Sequence, residues 1–187
     1  MMIKRIEIFF ANPSVYQGIL AGFFLFVAKI IVYLTHHWEY RFLPIFTFCS
    51  FLIILAAMIL GSQSDRKKAE ENTYFYKQAL LSCLRAVSFA VIIGSFADFV
   101  LYNFVDASLV SQSKTIMIEQ IKEGFSKAKL ISNSKLDFLI YEIRKSSMDT
   151  FSDYLLGLPG LIFSNMIFGL VVARIMRVKK ITHWIDQ

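Results

Sequence analysis

The chain has 187 residues, of which 56% are hydrophobic and 18% are charged, and its mean hydropathy is +0.55. These values exceed what the core of a soluble globular domain requires, and they indicate a membrane protein. The net charge of +6 does not indicate nucleic-acid binding, because the basic residues flank apolar runs, where Lys and Arg act as topology signals.

Four long apolar runs are each comparable to the roughly 20 helical residues that cross a bilayer. The predicted spans are residues 15–34, 42–61, 79–104 and 154–173. In the intervening residues 106–153, apolar side chains recur every three to four residues on both sides of Asn133, which predicts two amphipathic helices. The sequence therefore predicts an all-α fold, a single-domain integral membrane four-helix bundle with an extracytoplasmic helical hairpin between helices 3 and 4.

The distribution of Lys and Arg predicts the orientation of these spans. Ten of the 20 basic residues lie close to helix ends on the side that holds both termini, whereas the eight on the other side are mostly diluted over residues 106–153. Basic residues near the ends of spans stay in the cytoplasm. Lys4, Arg66 and Arg177 are therefore expected to be cytoplasmic, and Lys129 is expected to lie outside.

Two ionisable residues, Lys29 and Asp98, lie deep within apolar runs, where a charge is costly. Lys29 is roughly 21 Å from the inner surface and Asp98 roughly 28 Å, from a rise of about 1.5 Å per residue. A lysine stem covers the difference, so the two side chains are predicted to form an intramembrane ion pair. The pair is compatible with a structural bridge, with two independently snorkelled groups, or with an ion or proton path.

Other residues in the runs predict contacts with lipid or with neighbouring helices. Arg85, Arg174 and Arg177 lie near the inner ends of helices 3 and 4, which predicts contacts with lipid headgroups. Small residues allow close helix packing, and an amide can bond across a helix interface. The predicted packing residues are Gly18, Gly22, Gly157, Gly160 and Asn165.

The search for catalytic or metal-binding motifs is negative. His36, His37 and His183 do not have the spacing with Cys, Asp or Glu that forms a zinc site. The chain also lacks a glycine-rich phosphate loop, a nucleophile elbow and an HExxH motif. The sequence therefore predicts a protein that is not an enzyme and that needs no cofactor.

The order of these parts resembles an uncharacterised family of bacterial inner-membrane proteins typical of Bacteroidetes, domain of unknown function 4199. The resemblance rests on residues 76–106, on the closing segment 157–180, and most distinctively on the Tyr-Asn-Phe-Val-Asp stretch at 102–106. It implies an inner-membrane location. It also implies an accessory role in envelope glycan assembly, beside a membrane-associated glycosyltransferase.

Two functions from different classes follow from these features. The first is a non-enzymatic accessory or scaffold subunit that contacts membrane lipids and either a partner protein or further copies of itself. The second is a small oligomeric transporter or channel that uses Lys29 and Asp98. A lipid-directed enzyme ranks last, because the sequence offers no nucleophile paired with a base.

Overall fold

The structure, a computed structural model, describes residues 12–37, 39, 44–69, 74–128, 133–146 and 151–177. Within these ranges the regular structure is helical, which confirms the predicted all-α class. The helices are α1 (Pro13–Leu34), α2 (Pro44–Lys68), α3 (Tyr76–Val100), α4 (Ser108–Ala128), α5 (Asn133–Lys145) and α6 (Phe151–Met176), and α3 continues as a π-helical turn over Leu101–Val105.

Four of these helices are long and apolar enough to cross a membrane, which confirms the four predicted spans. The observed helices begin where their sequences favour it, since proline is the first residue of both α1 and α2 and a missing N–H costs nothing there. Helix α2 extends beyond its predicted span of residues 42–61. The apolar run of α2 stops near Gly61, but the helix continues through polar residues to Lys68.

The four spans form a bundle in which α2 and α3 lie between α1 and α6. Both central helices contact the two outer ones, whereas α1 and α6 do not contact each other within the described ranges. We call the end where α1 begins and where α2 and α6 terminate the basic end. The opposite end, next to α4 and α5, is the hairpin end.

A seam of small residues holds α1 parallel to α3. A Cβ added to Gly18 would lie 2.5 Å from the carbonyl oxygen of Ala86, and one added to Gly22 would lie 2.7 Å from Cβ of Ile93. One turn further on, Gly94 of α3 leaves space for the side chain of Leu25. The predicted packing role of Gly18 and Gly22 therefore corresponds to a close approach of two backbones.

The predicted helical hairpin is present as α4 and α5, which contact each other on either side of residues 129–132. The π-helical turn leads into it. The hydroxyl groups of Tyr102 and Ser113 lie 3.0 Å apart in a buried hydrogen bond, and Asp106 Oδ1 accepts from the backbone N–H of Ser108 at 2.9 Å. The Tyr-Asn-Phe-Val-Asp stretch thus forms the joint between α3 and α4, in which Tyr102 and Asp106 each bond to α4.

Candidate functional site in the membrane

Lys29 and Asp98 meet inside the bundle. Lys29 Nζ lies 3.0 Å from Asp98 Oδ2, and it also donates a hydrogen bond of 2.8 Å to the carbonyl oxygen of Gly94. The side chains are only 13% and 18% exposed. Lys29 is five residues from the end of α1, so the pair lies roughly 8 Å from the hairpin end of that helix.

The small-residue seam positions this pair. Along the seam, Gly18 lies against Ala86, Leu25 against Gly94, and Lys29 against Asp98. The sequence separation between the partners is almost constant, at 68, 69 and 69 residues, as expected for two parallel helices in continuous contact. The register that brings the glycines together therefore also brings the lysine to the carboxylate.

The ion pair forms part of the wall of a cavity of about 440 Å³ that all four spans line. Besides Lys29 and Asp98, its lining includes five polar residues: Thr47, Ser50, Ser95, Ser164 and Asn165. Ligand pockets in proteins commonly have volumes of about 300 to 1,000 Å³. A cavity of this size with two charged groups and several hydroxyls can hold water or a small polar ligand at membrane depth.

The cavity does not continue along the bundle axis to the basic end. Between the cavity and the basic end, the interior is filled by four side chains that are at most 4% exposed: Ala57, Met58, Ala86 and Val87. A close aromatic contact between Phe51 and Phe168, with ring centroids 4.5 Å apart, lies at the cavity wall between α2 and α6. One copy of the chain therefore has a cavity with charged and polar groups on the hairpin side, and a layer of packed apolar side chains separates it from the basic end.

Tyr154 attaches α6 to α3 beside this cavity. Its hydroxyl donates a hydrogen bond of 2.8 Å to the carbonyl oxygen of Ile92, and its ring lies 5.7 Å from that of Phe99. The sequence pattern did not single out Tyr154. Because aromatic residues are 16% of the chain, composition alone could not distinguish it as a link between helices.

The predicted packing residues of α6 do not pack as expected. A Cβ added to Gly157 or Gly160 would meet no atom within 4 Å, because α6 turns Leu158, Val172 and Ala173 toward the bundle instead. Asn165 donates from Nδ2 to the carbonyl oxygen of Leu161 at 2.8 Å. That bond lies within α6, whereas the sequence predicted one across a helix interface.

The predicted headgroup contacts lie apart from the ion pair. Arg85 is half-buried and lines a second cavity, at the basic end. Arg174 is exposed in the last turn of α6, and Arg177 follows that helix; neither lines the second cavity.

A second polar cluster lies beside Arg85, at the basic end. Asp65 accepts hydrogen bonds from the hydroxyl of Ser82 and from the backbone N–H of Ser14, the latter at 3.2 Å. Tyr74 donates to Ser82 at 3.0 Å and lies 2.9 Å from the hydroxyl of Ser62. Burial raises the pKa of the Tyr74 phenol above its ordinary value. The cluster ties α1, α2 and α3 together.

In the described part of the chain, no three His, Cys, Asp or Glu residues come close enough to hold a metal ion. No curated protein and no solved structure matches the chain. A family profile does match, over residues 16–178, which include the first span from its fourth residue, the other three spans and the hairpin. The chain therefore belongs to the family described as Protein of unknown function (DUF4199).

Proposed function

We propose that this membrane protein is a non-enzymatic accessory or scaffold subunit of the bacterial inner membrane. The observation that carries the proposal is the way its intramembrane charges are arranged. Lys29 is bonded to Asp98 and to the Gly94 carbonyl, and the interior between this pair and the basic end is apolar. Charges paired in this way stabilise the register in which the seam packs α1 against α3, which is a structural role.

The hairpin offers a surface for a partner protein. On α5, Ile140 is buried, whereas Phe138 is 63% exposed and Tyr141 is 58% exposed. Exposed aromatic side chains are enriched where proteins bind each other. The hairpin is also joined to the bundle by the buried Tyr102–Ser113 hydrogen bond, so a partner bound there would be held in a defined position relative to the spans.

Copurification tests the proposed role. We expect the full chain, extracted in a mild detergent, to retain a stoichiometric partner that is lost when Phe138 and Tyr141 are both replaced by Ser. The matched control replaces Glu142, exposed on the same helix, by Ser. The first partner to look for is a membrane-associated glycosyltransferase. Purification without any partner, or equal losses in both variants, would argue against the scaffold role.

We also propose that both termini are cytoplasmic, in agreement with the Lys and Arg distribution. The test introduces single cysteines at Lys67, on the basic end of α2, and at Lys122, on α4, in a background that lacks Cys49 and Cys83. A membrane-impermeant thiol reagent applied to intact cells should label the cysteine at 122 and leave the one at 67 unlabelled. The reverse pattern would invert the topology. Lys4 and Lys129, whose sides the sequence also predicts, lie outside the described residues.

The polar cavity favours a second candidate, a small oligomeric transporter or channel. The cavity contains both charged residues, but it extends over only part of the bundle, so a complete path would need several copies or a partner. This candidate predicts a homo-oligomer in detergent and ion-dependent flux in proteoliposomes. Flux that disappears in the Lys29→Met, Asp98→Leu double variant would favour transport over the scaffold role.

A further inference from the structure

We propose that Arg85 and Lys68 form a binding site for the phosphodiester group of a membrane phospholipid at the basic end of the bundle. The proposal does not depend on the scaffold role. The site is the second cavity, which has a volume of about 480 Å³ and lies between the start of α1, the end of α2 and the first turns of α3. Arg85 and Lys68 both line it, although they come from different helices.

These two cations have no partner among the described residues. In the part of the chain that the structure describes, neither Arg85 nor Lys68 takes part in an ion pair or a hydrogen bond. Arg85 is half-buried and comes from the apolar span of α3, where an isolated guanidinium is costly. An anion in the cavity would remove that cost, because guanidinium groups bind phosphate oxygens in a bidentate manner.

The charge balance of the cavity fits one phosphodiester. Asp65 also lines the cavity, but its two oxygens already accept hydrogen bonds from Ser82 and from the backbone of Ser14. Among the described lining residues, Arg85 and Lys68 each carry a positive charge and Asp65 a negative one, which leaves one net positive charge. A phosphodiester carries one negative charge, so a single group makes the site neutral.

The depth and the remaining lining match a lipid better than a soluble phosphate. Arg85 is nine residues into α3, roughly 14 Å along that helix, and its side chain reaches the same cavity as Lys68 in the last turn of α2. This is how a long cationic side chain extends from an apolar span to the headgroup level. Leu81, 39% exposed, gives the cavity an apolar wall that suits the glycerol and acyl part of a lipid.

Gln78 supplies a further donor in the same cavity. Its Oε1 atom accepts the backbone N–H of Phe75 at 2.6 Å, which leaves the NH₂ group of the side chain available to a ligand. The site thus combines two cations with a neutral donor. It is built from elements that the Asp65 cluster already holds together.

The test measures phospholipid retention by the full-length protein in detergent, using native mass spectrometry with added phosphatidylglycerol. We expect the Arg85→Gln, Lys68→Gln double variant to lose lipid binding by about tenfold or more, since every 1.4 kcal/mol lost is a factor of ten. The matched control is Arg66→Gln, Lys67→Gln, which removes the same charge from exposed residues that do not line the cavity. Equal loss in both double variants would overturn the proposal in favour of general electrostatic attraction, and no loss in either would also overturn it.

Two further measurements distinguish loss of the binding site from misfolding of the variant, and a lipid ligand from a soluble phosphate. Should the Arg85 variant fail to fold, Lys68→Gln alone, at an exposed position, must still weaken binding, and unchanged binding in that folded variant would overturn the proposal. Excess glycerol 3-phosphate or inorganic phosphate should leave bound lipid in place. Displacement of the lipid by either soluble anion at millimolar concentration would assign the site to soluble phosphates and overturn the lipid proposal.

Discussion

Replacing Lys29 by Met, or Asp98 by Leu, is expected to destabilise the bundle by about 3 to 5 kcal/mol. Each single substitution leaves the other charge buried without its partner, and breaking a buried ion pair in this way has costs of that order. The double substitution removes both charges and should recover much of the loss. Thermal or denaturant unfolding in detergent, together with the abundance of each variant in cells, measures the effect.

The control for this series is Lys67→Met, which removes a lysine that is exposed at the basic end of α2. It should change stability by no more than about 0.5 kcal/mol. Additive losses in the double variant would show that the two charges do not interact. If the double variant regains both stability and cellular function, the ion pair is structural; if it regains stability alone, the charges are needed for function and the transport candidate gains support.

Replacing Gly18 by Ala is expected to separate α1 from α3 and to destabilise the protein by about 1 to 3 kcal/mol, the usual cost of overpacking. The added Cβ would lie 2.5 Å from the carbonyl oxygen of Ala86 and 2.9 Å from its Cα, and both are backbone atoms that cannot move aside alone. The same change should weaken the Lys29–Asp98 contact, because the seam sets its register. Unfolding measurements in detergent test the stability.

Gly160 provides the matched control, since a Cβ added there would meet no atom within 4 Å. Gly160→Ala should leave the bundle intact and can stabilise it by up to about 1 kcal/mol, because alanine favours a helix more than glycine does. Equal losses from the two substitutions would mean that helix propensity or lipid contacts, rather than the seam, determine the effect.

The four spans, the helical hairpin and the pairing of Lys29 with Asp98 could all be predicted from the amino-acid sequence. Spans can be predicted because the hydrocarbon core of a bilayer requires long apolar helices. The hairpin can be predicted because its apolar residues follow the helical period. The ion pair could be anticipated because helical rise converts residue number into depth. Two opposite charges at similar depth have few other partners in an apolar bundle.

The helix faces that meet could not be predicted from the sequence and are known from the folded bundle. Gly18 and Gly157 both belong to small-residue patterns, yet only Gly18 lies against another helix, because rotation about the helix axis is set by the packing of the whole bundle. Hydropathy likewise predicts a span that stops near Gly61, because it reports membrane depth and not helix length. The helix itself continues to Lys68, and Ser62 and Asp65 in this extension form hydrogen bonds with polar neighbours. The two cavities were beyond sequence reasoning for the same reason: each is lined by at least three helices whose relative rotation no single segment encodes.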